Sequence, residues 1–64
     1  MAREKLIKFR EKHRLTQKGI AELLGISFNM YQALEYGYRN PSLDTLNKFK
    51  KTFPKMDITD IFLN

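Results

Sequence analysis

The run Gln17-Lys18-Gly19-Ile20-Ala21-Glu22-Leu23-Leu24-Gly25-Ile26-Ser27-Phe28-Asn29-Met30-Tyr31-Gln32-Ala33-Leu34-Glu35-Tyr36 decides the fold. Thr16, immediately before it, is placed to cap a helix by accepting a backbone N–H bond, and Ile20, Ala21, Leu23 and Leu24 give that helix an apolar face. Gly25 stops it, because glycine takes the left-handed conformation without a side-chain clash. Ser27 offers the next cap, and Met30, Tyr31 and Leu34 carry a second helix to about Tyr36, with Gly37 at its end. Only Gly25, Ile26 and Ser27 separate the two. Helices crossing steeply need a small residue where their backbones approach, a glycine in the turn and apolar residues in the shared core. Ala21, Gly25 and the group Ile20, Leu24, Ile26, Tyr31 and Leu34 meet those needs.

Outward from this pair, the chain remains helical. From Ala2 to His13, Leu6 and Phe9, with Ile7 beside them, recur among long charged side chains at helical spacing, and His13 ends that helix, where its protonated form would suit the dipole. Tyr38-Arg39-Asn40-Pro41-Ser42 reads as a loop, because Pro41 disfavours helical geometry at Asn40 and Ser42 can cap the next helix. Leu43, Leu46, Phe49, Lys50 and Phe53 then repeat at helical intervals until Pro54. Asp57 caps a brief last helix with Ile58, Ile61 and Phe62 inside and Asp60 in its first turn. No alternation of period two, internal repeat or low-complexity stretch is visible, so the expectation is an all-α fold of five helices in one domain over residues 1–64.

Composition narrows the function classes. Cysteine is absent, so a core of this size, giving about 3–5 kcal/mol, has no disulfide or thiolate metal site to reinforce it. A lone histidine, His13, and scattered carboxylates lack metal-ligand spacing and paired catalytic geometry, so no enzyme, metal, cofactor or small-molecule ligand is expected. No apolar run approaches a membrane span and no secretory signal is visible, which makes a reducing cytoplasm the default. The net charge of +5 lies wholly in residues 1–18, where Arg3, Lys5, Lys8, Arg10, Lys12, Arg14 and Lys18 face only Glu4 and Glu11. Such a segment should meet a polyanion, and charge alone does not separate nucleic acid from an anionic membrane surface. The first helix lacks the broad aromatic and leucine face of membrane-inserting helices, which favours nucleic acid.

Two short helices about a tight glycine turn are the spatial signature of a helix-turn-helix, here over about residues 17–36. Beyond that motif the chain resembles the Cro/repressor-type (Xre-like) helix-turn-helix family along nearly its whole length. The resemblance rests on Leu6, Phe9 and Arg10, on Leu15-Thr16-Gln17, on Ala21, on Leu24-Gly25-Ile26-Ser27, on Leu34-Glu35 and Gly37, and on Asn40-Pro41-Ser42-Leu43 with Leu46. It implies a five-helix, lambda-repressor-like domain binding double-stranded DNA, as in phage repressors, Cro proteins and bacterial regulators. It also implies that Gln17 grips phosphate at the groove edge, that Ser27, Phe28, Asn29, Gln32 and Ala33 lie on the exposed side of a recognition helix at 28–36, and that Arg10 pairs with Glu35.

The residue chemistry agrees with that assignment. Asn29 and Gln32 share a helix face, and carboxamides pair bidentately with adenine N6 and N7. Phe28 either touches a thymine methyl or sugar, or packs at the helix start. Arg10, Arg14, Lys18, Tyr38, Arg39, Asn40 and Ser42 are the further phosphate candidates, the last near the free amides of a helix start. Tyr31 should be core with its hydroxyl reaching solvent or phosphate, and Gly19 should soften the second helix. One reading head makes few base contacts, so a homodimer on a two-fold-related operator is expected, with Phe53, Ile58, Phe62 and Leu63 as possible dimer contacts or, for Ile58 and Phe62, closure of the monomer core. The rival reading is an antitoxin or accessory module that uses the same fold to hold a protein.

Overall fold

A computed structural model describes residues 2–63. Its helices are α1 Glu4–Lys12, α2 Gln17–Leu24, α3 Phe28–Tyr36, α4 Leu43–Thr52 and α5 Ile58–Phe62, and there is no strand among the described residues. Four of the five begin on a side-chain cap. Thr16 accepts from the Gly19 amide, Ser27 from Met30, Ser42 from Thr45 and Asp57 from Asp60, each satisfying one donor that the first turn leaves orphaned. α1 starts at Glu4, two residues later than its apolar spacing suggests, with no side-chain cap at Arg3.

The first three helices end on a common hydrogen-bond pattern. Past α2, the Gly25 amide reaches the Glu22 carbonyl and the Ile26 amide the Ala21 carbonyl; past α3, Gly37 reaches Leu34 and Tyr38 reaches Ala33. Past α1, Arg14 reaches Glu11 and Leu15 reaches Arg10. This is the Schellman arrangement, which needs one left-handed residue: Gly25 at φ +72°, Gly37 at φ +81°, and, without any glycine, Arg14 at φ +55°.

The core is shared by all five helices: Leu6, Ile20, Ala21, Leu24, Tyr31, Leu34, Phe49, Met56 and Ile61 are buried. Phe9, Leu15, Ile26, Phe53, Ile58 and Phe62 pack against it, half-buried. Two leucines depart from the expected pattern. Leu23, assigned to the apolar face of α2, is 55% exposed, and Leu43 is 75% exposed. Each sits about 100° around its helix from a neighbour, and the inward positions are filled by Ile20, Ala21 and Leu24 in α2 and by Thr45 and Phe49 in α4. Lys50, counted in the same repeat, is exposed and donates to the Met56 carbonyl. Thr45 is buried with its hydroxyl satisfied, accepting from the Ser42 hydroxyl at 3.1 Å.

α1 is held at both sides. Lys5 Nζ meets Asp60 Oδ1 of α5 at 2.7 Å. At the other side the Arg3 amide donates to the Glu35 carbonyl at 2.6 Å, and the Arg3 guanidinium donates to the Leu34 carbonyl, to the Arg39 carbonyl and to Asn40 Oδ1. That guanidinium also lies 5.3 Å from the Phe62 ring centroid, joining the chain start to α5.

Candidate nucleic-acid interface

α3 has an inner and an outer side, and a buried carboxylate holds the inner one. Glu35 is 1% exposed. Its Oε2 accepts from Arg10 Nε at 2.8 Å and from the Tyr31 hydroxyl at 2.7 Å; its Oε1 accepts from Gln17 Nε2 at 2.8 Å and from Arg10 Nη2 at 3.3 Å. α1, α2 and α3 therefore meet on one side chain, and the Arg10 fork spans both of its oxygens. Burial by itself pushes the Glu35 carboxyl up, but hydrogen bonds from Arg10, Tyr31 and Gln17, with the charge of Arg10, more than reverse this and hold it below its ordinary value. The hydrogen bond to Glu35 raises Arg10 against its own desolvation. Burial, then the bond to Glu35, pushes the Tyr31 phenol far above the usual tyrosine range, so it stays a donor.

This hub fixes several side chains that the sequence assigns to the interface. Arg10 is turned inward: besides Glu35 it donates through Nη1 to the Leu15 carbonyl at 2.9 Å, so three of its five N–H donors are engaged within the protein. Tyr31 is core, as expected, but its hydroxyl is directed to Glu35 and not to solvent or phosphate. Gln17 is half-buried, and the ionised carboxylate dictates its amide orientation, since a carboxylate accepts only. The nitrogen faces Glu35, and the oxygen accepts from Gln32 Nε2 at 3.3 Å. Gln32 thereby has one amide donor engaged at the start of α2.

On the outer side, Ser27 and Asn29 are exposed, while Phe28, Gln32 and Ala33 are half-buried. The Ser27 hydroxyl serves as the α3 cap, accepting from the Met30 amide at 3.0 Å. The Lys18 ammonium lies 5.7 Å from the Phe28 ring centroid, so a phosphate candidate on α2 and an apolar candidate on α3 stand against one another. Arg14 is exposed at the left-handed corner before α2.

At the other end of α3, Tyr38, Arg39 and Asn40 are exposed in the connection to α4, and the Tyr38 ring meets Tyr36 edge-on with centroids 5.9 Å apart. Ser42 is exposed, with its hydroxyl used in capping α4. Arg3 is the residue that sequence reasoning passed over: it braces this loop through the Arg39 carbonyl and Asn40 Oδ1. Nothing local signals a contact between residues more than thirty positions apart; only its place in a basic segment marks it.

The possible dimer residues lie at the end of α4 and in and just after α5. Phe53 packs on Phe9 and His13, with centroids 5.1 and 5.3 Å away, and Phe62 packs on Phe49 at 5.0 Å. Ile58 is half-buried and Leu63 is 69% exposed. Among the described residues no group of three or more His, Cys, Asp or Glu side chains is placed to hold a metal ion, and no helix is long and apolar enough to cross a membrane.

A family profile described as helix-turn-helix matches residues 6–59, which spans all of α2, α3 and α4 and most of α1. No curated protein and no solved structure matches the chain significantly.

Proposed function

The chain belongs to this helix-turn-helix family, a DNA-binding family, and from that premise we propose that it is a sequence-specific transcriptional regulator. In this reading it is a repressor that binds a two-fold-related operator as a homodimer, in a prokaryotic cytoplasm, with a chromosomal or phage origin equally compatible. The observation that carries the reading is the division of α3: Tyr31, Leu34 and Glu35 are locked inside, and Ser27 and Asn29 are presented outside.

With its inner side clamped by α1 and α2, α3 is a rigid reading element. Asn29 is the principal base reader, offering both an acceptor and donors to adenine, with Ser27, Phe28, Gln32 and Ala33 around it. Arg14, Lys18 and Gln17 at one end and Tyr38, Arg39, Asn40 and Ser42 at the other flank the groove and take phosphate. The nine residues of α3 span about 13 Å, enough for about four base pairs. A few base contacts at about 1–3 kcal/mol each fall short of the roughly 4–10 kcal/mol that separates specific from non-specific binding, which is the argument for two copies per site. Exposed Leu63, with the half-buried Phe53, Ile58 and Phe62, supplies the apolar surface for that pairing.

Fluorescence-anisotropy titration against a duplex selected from a random pool and against a scrambled duplex tests this directly. The expected result is a two-fold-related site bound thousands of times more tightly, with two chains per duplex. Asn29→Ala then relaxes preference at one base pair by about 1–3 kcal/mol, whereas Arg39→Ala weakens every sequence alike and lowers the salt slope by about one. Equal, weak binding to both duplexes overturns the reading in favour of a module that holds a protein partner or coats DNA without selectivity.

A further inference from the structure

Apart from Phe53, which the proposed pairing of two copies also draws on, the DNA reading leaves one surface unused, on the side of α1 turned away from Glu35. A groove of about 600 Å³ runs between the end of α1, the α4–α5 connection and α5, and continues beside α1 into a second concavity of about 350 Å³. Its apolar lining is Phe9, Phe53, Met56 and Ile61. Along the α1 wall stand Lys5, Lys8 and Lys12, which recur at i, i+3 and i+7 and so share one side of the helix, while Lys55 lies at the far end.

The basic first segment is therefore not one surface. Arg10 goes inward to Glu35, Arg3 goes to the α3–α4 loop, Arg14 and Lys18 stand by the start of α2, and three lysines face this groove. Of the two acids here, Asp60 is offset by Lys5 at 2.7 Å, while Asp57 caps α5 by accepting from the Asp60 amide at 3.0 Å and leaves one negative charge at the α5 end against Lys8, Lys12 and Lys55. Lys8, Lys12 and Lys55 have no hydrogen-bond or ion-pair partner among the described residues.

We propose that this groove docks an acidic amphipathic helix of a partner protein. An apolar floor beneath unpartnered ammonium groups matches a ligand that is apolar on one side and anionic along its flank. Nucleic acid supplies the anions but nothing for the floor. A second copy could offer Lys8 and Lys12 only its charge-balanced residues 19–64 or its own basic residues 1–18, and neither is an anionic flank. From Lys5 to Lys12 the wall rises about 10 Å, which matches two turns of a docked helix with apolar residues at i, i+4 and i+7 and glutamates beside them. This proposal does not depend on the DNA reading, since α3 plays no part in it.

The probe is a synthetic fourteen-residue peptide of leucine and glutamate in that pattern, fluorescein-labelled, with a scrambled peptide of the same composition as control, titrated into the ¹⁵N-labelled full chain. The expected result is saturable micromolar binding, amide shifts confined to the surroundings of Phe9, Lys12, Phe53 and Met56, and at least a tenfold loss in the Lys8→Gln/Lys12→Gln double variant. Both lysines are exposed, so that variant keeps the fold, which its unperturbed spectrum elsewhere verifies. Failure to saturate, equal binding of the scrambled peptide, or shifts centred on α3 overturns the proposal. Sedimentation showing that the chain alone dimerises through the groove, with Lys8→Gln/Lys12→Gln altering the dimer, overturns it in favour of a second copy.

Discussion

The corners after α1, α2 and α3 are closed by backbone hydrogen bonds around a left-handed residue, whereas α4 ends at Phe53 with φ −128° and α5 at Leu63 with φ −108°, neither using that conformation. The α4–α5 limb is held instead chiefly by rings, Phe53 on Phe9 and Phe49 on Phe62, with the exposed Lys5–Asp60 pair and the Lys50 bond to the Met56 carbonyl beside them. The reading half thus takes its angles from local backbone geometry and one buried carboxylate, and the other half takes its position from apolar contact. Backbone corners and bidentate ion pairs tolerate little displacement, while apolar packing accepts repacking at modest cost. A polar hub suits the proposed presentation of α3 at a fixed angle, and an adaptable limb suits the pairing and docking proposed for the other half.

The largest effect that bears on this contrast comes from the hub. Arg10→Ala leaves Glu35 buried with hydrogen bonds from Tyr31 and Gln17 but no countercharge, costing about 3–5 kcal/mol, comparable with the whole stability expected of so small a core. Urea titration followed by circular dichroism should find the variant largely unfolded at 25 °C; an unmoved midpoint would remove the hub as the source of rigidity.

The pH dependence separates the halves next. Glu35 has a folded pKa below its ordinary value of about 4.3, so its contribution is complete above that value. It is lost as pH falls through the lower folded value, because the unfolded chain takes up the proton first. The stability difference between the native chain and Glu35→Gln should therefore shrink as pH is lowered from about 5, and a constant difference would contradict the ionised hub.

Smaller effects test the corners. A Cβ at Gly25 would meet nothing within 4 Å, so Gly25→Ala costs only the left-handed conformation, about 1–2 kcal/mol, read as a lowered melting temperature. The smallest and most informative change is Arg14→Gly. Relief of the left-handed arginine, less the extra freedom of the unfolded chain, should stabilise by up to about 1 kcal/mol. The same variant should bind DNA more weakly if Arg14 keeps its side chain at that corner for phosphate. A destabilised Arg14→Gly would mean that the arginine stem packs in a way that outweighs its backbone strain.

Much of the fold is legible in the sequence because the signals are local. Thr16, Ser27, Ser42 and Asp57 announce helix starts within three residues of the amides they bind, and Gly25 and Gly37 announce the ends of α2 and α3 by what a side chain would prevent. The third corner is not legible, since Arg14 carries no mark of the left-handed conformation. Met56 escapes notice because it lies between Pro54 and Asp57, outside any helical period, yet it is buried. Leu23 and Leu43 read as inward when residue type is counted without the rotation of each helix.

At the interface, composition identifies the polar and basic side chains but not how they are shared out. Arg10 suits phosphate and carboxylate equally well, and only the arrival of Glu35 beside it in three dimensions reveals the pair that the guanidinium makes within the fold. Gln17 and Gln32 are both carboxamides in sequence, and the buried carboxylate is what orients one and, through it, ties the other.

The Tyr31 hydroxyl, enclosed and donating to Glu35 at 2.7 Å, also equips the molecule with a built-in clock. A hydroxyl proton in water is replaced too fast to observe, but this one can leave only when the contact among α1, α2 and α3 parts, so its lifetime counts those openings. Compared before and after a duplex is added, that lifetime reports how far occupying the outer side of α3 quiets the inner side, without any label or substitution.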